Sequence, residues 1–258
     1  MRYLLLLALI MGMVSCSSDK AETTTEEPQI EELPMAQKVV NWAIDASGGD
    51  RYDNMNLEFM FRERWYRGYR EDGVFSYERK FMEEGDTFHD VLNNEGFTRY
   101  INSEVAVIPD SMAVKYTNSV NAVLYFIQLP KPLNDDAVIK EYLGEVELKG
   151  KSYHKVKVTF RQEGGGEDFT DVFIYWFDKE SFAIDYMAYL YHTDGGGIRF
   201  REAIKSTVVN GIRFNDYINY GVDDLSMEVA TLDSVYLAGG LEELSRIEQT
   251  DIKVELLD

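Results

Sequence analysis

From residue 50 onward, apolar and polar positions come in short runs separated by acidic or glycine-bearing turns. Only two segments break into helical spacing. In residues 36 to 46, Val39, Val40, Ala43 and Ile44 fall on one face with Trp42 beside them, and Gly48-Gly49 ends the pattern. Between Pro109 and Leu129, Met112, Val114, Val120, Val123, Leu124 and Ile127 share a second face. Asp110 or Ser111 is placed to cap this helix, and Pro130 stops it. The remaining runs read as strands over 56–69, 74–82, 87–92, 97–101, 139–148, 152–162, 170–178, 181–192, 197–208, 212–220, 227–237 and 250–258. Turns such as Asp72-Gly73, Glu84-Gly85 and Asn210-Gly211 lie between them. Uniformly short spacing with two helices predicts a mainly β (α+β) fold. The expected form is a curved antiparallel sheet or open half-barrel of about ten or more strands, with both helices on its concave face.

One set of strands can be given a register from its apolar residues. Pairing Val172 with Ala188, Ile174 with Tyr186 and Trp176 with Ile184 keeps one face apolar. Pairing Leu190 with Ile198 and Ala188 with Phe200 carries that face to the next strand, with Glu202 as its charged member. The opposite face then holds Asp171, Phe173, Tyr175, Asp185, Met187, Tyr189, Arg199 and Arg201. It reads as a solvated surface with cross-strand ion pairs such as Asp185 near Arg201, or alternatively as a polar-aromatic binding surface.

The N-terminus has a different pattern. Arg2 precedes an apolar run over residues 4 to 14, Ser15 supplies a small side chain, and Cys16 follows. The run is too short to span a bilayer, and it predicts a lipoprotein signal at 1–15 that is cleaved before a lipidated Cys16. Residues 16–34 hold few apolar side chains and many acids, as expected of a flexible tether. Residues 35–258 form the single expected β-rich domain. Cys16 is the only cysteine, so the domain holds without an internal disulfide.

Charge narrows the partners. With 46 acidic against 26 basic residues the formal net charge is -20, which disfavours nucleic acid and an anionic membrane surface. Motif chemistry is absent. His89, His154 and His192 are scattered without metal-ligand spacing, no nucleophile elbow occurs, and no thiol is left for catalysis. No metal site, cofactor or catalytic residue is therefore assigned. Two glycine triplets, Gly164-Gly165-Gly166 and Gly195-Gly196-Gly197, fall at the same end of their strands by direction counting. They read as rim loops at the mouth of a cavity or as tight turns.

Several stretches resemble an uncharacterised lipoprotein family of Bacteroidota. They include Asn118 to Val123, Leu133 to Val138, Tyr142 to Glu145, Gln162 to Gly166 and Gly195 to Ala203, together with the opening Ala46 to Tyr52. In architecture the pattern is also similar to carriers of the LolA and LolB type, open half-barrels whose hollow is covered by helices and accepts acyl chains. The resemblance implies a cell-envelope, outer-membrane lipoprotein facing periplasm or cell surface. It would be non-enzymatic and would bind a lipophilic or amphipathic ligand in the hollow. Trp176, Ile184, Tyr186, Ile198, Phe200 and Phe214 are the expected lining, and helix 110–128 the expected lid. The alternatives are an envelope scaffold with a filled core, or a carboxylate-based hydrolase acting on envelope glycans or lipids. The oligomeric state is left open.

Overall fold

Among the described residues, fourteen antiparallel strands form two open sheets of seven, accompanied by three helices. The structure is a computed structural model that describes residues 32–164 and 169–257, apart from the Asp194 side chain. Cys16, the signal segment and nearly all of the tether lie outside the described residues. Residues 33–258 form one compact unit. No helix among the described residues is long and apolar enough to cross a membrane.

The first sheet is a meander. It contains β1 (Met55–Phe61), β2 (Arg64–Glu71), β3 (Val74–Glu83), β4 (Asp86–Asn93), β5 (Gly96–Ile101) and β6 (Glu104–Val105). The expected strand over 56–69 is in fact the hairpin β1–β2. Its turn, Arg62-Glu63, has both φ angles positive (49° and 59°). Neither residue favours that region, so the turn left no sequence signal.

Helix α1 (Met35–Ser47) precedes this sheet and α2 (Asp110–Ile127) follows it. The second sheet contains β7 (Val138–Leu148), β8 (Lys151–Phe160), β9 (Val172–Asp178), β10 (Ile184–Tyr191), β11 (Gly197–Val209), β12 (Ile212–Val222) and β13 (Glu242–Ile247). The last strand, β14 (Thr250–Leu256), returns to pair with β1. The final extended segment is thus shared. Its first half adds to the second sheet and its second half to the first, and between them the Gln249 amide donates to Asp216 Oδ1 at 3.0 Å. This division accounts for two sheets where one curved sheet was expected.

The expected strand over 227–237 is instead a helical segment ending in α3 (Leu232–Leu237). Leu232, Val235 and Tyr236 stand at helical spacing and pack onto the second sheet. Asp233 fixes the helix there. Its Oδ2 accepts from Lys155 Nζ at 2.6 Å and from Trp176 Nε1 at 3.1 Å.

The second sheet is therefore covered on both faces. On one, Ile174, Trp176, Tyr186, Ala188, Ile198 and Phe200 are buried beneath α3. On the other, Phe173, Tyr175, Phe177, Met187 and Tyr189 share a core with Val39, Val40, Ala43 and Ile44 of α1. The β10–β11 register matches the sequence reading, with Leu190 opposite Ile198 and Ala188 opposite Phe200. The β9–β10 register is shifted by two residues, placing Leu190 opposite Val172. Because the shift is even, the faces keep their members through most of the pair. A bulge between Ile184 and Tyr186 breaks that parity, so Ile184 joins the α1 core instead.

Candidate functional site

Helix α2 has two working stripes. Val120, Leu124 and Ile127 are buried against the first sheet together with Leu57, Phe59, Tyr66 and Tyr77. Gly68 of β2 permits this approach, since a Cβ there would sit 2.9 Å from Leu124 Cδ1. Polar contacts also fasten the helix. Arg79 Nη1 donates to Ser119 Oγ at 2.7 Å, and Gln128 Nε2 donates to Tyr77 Oη at 3.3 Å. The second stripe, Asn118, Asn121, Ala122, Tyr125 and Phe126, faces the second sheet across a gap.

That gap is a row of three chambers sharing walls. The first, about 300 Å³, lies between the second stripe of α2 and Phe160, Asp171, Phe173, Tyr189, Tyr191 and Arg199. The second, about 430 Å³, shares Asn121, Tyr125 and Phe160 with it and adds Arg70, Tyr77, Asp135 and Gly164. The third, about 200 Å³, shares Ala122 and Phe126 and adds Arg62, Arg201, Tyr217 and Asn219. Individually these are at or below the low end of small-molecule sites, and as a row they form a groove with aromatic walls.

Polar groups in these walls are incompletely satisfied. The Tyr125 hydroxyl in the shared wall lies near that of Tyr175, which lines none of the chambers, and among the described residues neither has a partner in hydrogen-bonding geometry. Burial pushes both phenols well above the ordinary tyrosine range. Burial also raises the Asp135 carboxyl in the second chamber. In the third, Arg201 Nε and Asn219 Oδ1 are buried without partners.

Two arginines of β11 face this groove. Arg199 Nη2 donates to Tyr191 Oη at 2.8 Å, and Arg201 Nη2 donates to Tyr189 Oη at 2.7 Å. Arg201 is only 9% exposed, and its guanidinium stands 4.1 Å from the centre of the Phe126 ring. Among the described residues no carboxylate bridges either arginine. The expected Asp185–Arg201 pair does not form, because Asp185 sits in the β10 bulge. There it accepts from Tyr153 Oη at 3.0 Å and lies 3.3 Å from Lys151 Nζ. Asp171, in the first chamber, faces His192, with Oδ1 3.2 Å from Nδ1.

Four of the six residues expected to line a hollow are brought together, in a packed cluster, and two lie elsewhere. Trp176, Tyr186, Ile198 and Phe200 pack beneath α3, Ile184 lies in the α1 core, and Phe214 lies in the core of the first sheet. None lines the groove under α2, and Tyr186 alone touches a shallow depression on the α3 side. The groove is lined instead by residues of the opposite face, the one read as solvated or as a polar-aromatic binding surface. Its sequence signal was that aromatics (Phe173, Tyr175, Tyr189) are interspersed among the charges of that face.

Of the rim glycines, Gly164 lines the second chamber, while Gly165 and Gly166 lie outside the described residues. Gly195 and Gly196 form a turn beside Thr193, which lines the first chamber. Gly197 opens β11, and a Cβ there would come within 2.7 Å of Tyr191 Oη, the hydroxyl that holds Arg199. Among the described residues no group of three or more His, Asp or Glu side chains is placed to hold a metal ion.

Comparison with known proteins gives a family without an activity. No curated protein matches the sequence. Among solved structures, a LolA superfamily protein from Nitrosomonas europaea is similar at 8% identity and a TM-score of 0.48, over 88% of this chain and 96% of that one. A domain from Vibrio parahaemolyticus named for outer membrane lipoprotein sorting is similar at 9% identity and 0.44, over 85% and 93%. A DUF1329 family protein from Desulfovibrio piger is similar at 10% and 0.38, over 84% and 92%. These values are too low to assign this chain a ligand, a partner or an activity. The sequence itself matches one family model over residues 3–249, and the chain belongs to that family, DUF6503, a family of unknown function.

Proposed function

We propose that this protein is a lipid-anchored, non-enzymatic component of the cell envelope that binds a lipophilic or amphipathic ligand. The ligand would lie in the groove between α2 and the second sheet. The anchor is Cys16, reached through the acidic tether, and the location is the outer membrane, facing the periplasm or the cell surface. Support for the anchor comes from the apolar run over 4–14, Ser15 and the single cysteine at the cleavage point.

One observation carries the binding reading. Aromatic side chains line a row of adjoining chambers, where a filled core would have closed, and the buried Tyr125 hydroxyl in their shared wall has no hydrogen-bond partner among the described residues. A chain laid along the row would gain roughly 0.8 kcal/mol per buried methylene. Helix α2 is fastened to the first sheet and serves as the groove's outer wall. Each chamber has at most one carboxylate among its described lining residues, which disfavours paired-carboxylate hydrolysis.

Native mass spectrometry of residues 33–258, the compact unit that contains every contact named above, tests this. A discrete excess mass, released by organic solvent and restored by added lipid, is the expected result. Ala122→Trp, which puts a large ring where two chambers meet, should abolish uptake while leaving the circular dichroism unchanged. A clean mass that stays clean after lipid is offered overturns the reading and leaves a scaffold role.

A further inference from the structure

We propose that Arg199 and Arg201 form an anion-receiving site in the groove wall, so that the ligand is a single-chain amphiphile with an oxyanion head, carboxylate or phosphate. The inference rests on the groove being a ligand site. It follows from how the two cations are held. A guanidinium has five donors, and burying it without an anion is costly. Arg201 is buried and, among the described residues, has only the Tyr189 hydroxyl as hydrogen-bond acceptor, with none at its Nε. Arg199 has the Tyr191 hydroxyl and the Ile198 carbonyl oxygen.

Neither arginine is bridged by a carboxylate among the described residues, in a chain with 46 acidic side chains. The acids that could have served are engaged elsewhere. Asp185 is with Lys151 and Tyr153, Glu202 with Lys149 and Tyr220, and Asp171 with His192. The two guanidinium groups are two residues apart on one strand, hence on one face. They line adjoining chambers separated by Phe126. A head between them would meet donors from both, while its chain lies against Phe126, Phe173 and Tyr189.

A full chain carrying Cys16→Ser, purified without detergent, provides the test. Dodecanoate, dodecyl phosphate and dodecanol are titrated against it by calorimetry. The two anionic probes should bind about 10- to 100-fold more tightly than the alcohol, the span expected of charge-assisted hydrogen bonds. The stronger of the two identifies the head. Arg201→Met and Arg199→Met should each collapse the anion-to-alcohol ratio, and Arg201→Lys should restore part of it. Arg199, less buried, carries the test should Arg201→Met not fold. Equal binding of all three probes overturns the anion site and leaves the groove reading intact. Binding of none overturns both. A ratio that survives both Met variants places the selectivity elsewhere and also overturns the proposal.

Discussion

Two pairs of arginines, Arg79 with Arg99 in the first sheet and Arg199 with Arg201 in the second, lie on the sides facing α2 and are handled in opposite ways. Across the first sheet a ladder row runs Phe59, Tyr66, Arg79, Asp90, Arg99. Asp90, fully buried, accepts from Arg79 Nη2 at 2.6 Å and from Arg99 Nε at 2.6 Å, while Tyr116 of α2 covers the Arg99 guanidinium. Across the second sheet a row runs Val156, Tyr175, Met187, Arg201, Asn219. Here Met187 occupies the place next to the arginine that Asp90 fills in the first sheet. The same helix covers both sheets. Where charge is matched it packs down with Ser119 and Gln128, and where charge is unmatched it stands off over a groove. The first arrangement is a structural one, and the second is the one proposed above as an anion site.

The contrast breaks most visibly at Asp90. Asp90→Ala leaves two buried guanidinium groups without their anion, and stability should fall by about 3–5 kcal/mol, read from the urea midpoint. A loss below about 1 kcal/mol would mean that the row is solvated and the comparison misdrawn.

Next in size is Trp176→Phe. It removes the indole donor to Asp233 beneath α3 and should destabilise by about 1–3 kcal/mol. Ligand affinity should not move, because Trp176 belongs to the filled face of the second sheet and not to the groove. A loss of affinity at unchanged stability would restore the α3 side as the binding face.

The first sheet should also be acid-sensitive at Glu78. Hydrogen bonding to His89 and Arg67 lowers the Glu78 carboxyl from 4.5 to about 2. A carboxyl lowered by folding contributes stability that is fully present above about pH 4.5 and disappears as the pH falls through about 2. Wild-type stability should therefore decline across that window, and Glu78→Gln should flatten the decline. Parallel curves for the two proteins would show that the carboxylate is not held in this way.

Local chemistry was legible and coverage was not. Turns carrying glycine, such as Asp72-Gly73 and Asn210-Gly211, announce their hairpins, whereas Arg62-Glu63 makes the same kind of turn in silence. The alternation that separates Trp176 from Tyr175 is visible in the sequence, and so is the pairing of Ala188 with Phe200. Which face meets the helices is decided by residues far away. Leu232, Val235 and Tyr236 claimed the Trp176 face once 232–237 became a helix, leaving the Tyr175 face to α1 and α2. The bulge at 184–186 removed Asp185 from Arg201, and no pattern of apolar residues marks it.

The smallest expected effect sharpens the comparison furthest. If Arg79 and Arg99 are structural and Arg201 is held for a ligand, removing Arg201 should cost almost nothing. Arg201→Met discards a buried charge that no carboxylate neutralises and puts a flexible apolar chain against Phe126 and Tyr189. What is lost is one hydrogen bond to the Tyr189 hydroxyl and two cation–π contacts, to Phe126 and Tyr189, each worth on the order of 1 kcal/mol or less. What is gained is relief from desolvating the guanidinium, of similar or larger size. The urea midpoint should stay within about 1 kcal/mol of wild type, or rise. A loss of the size expected for Asp90→Ala would place Arg201 among the structural arginines and make the two sheets alike.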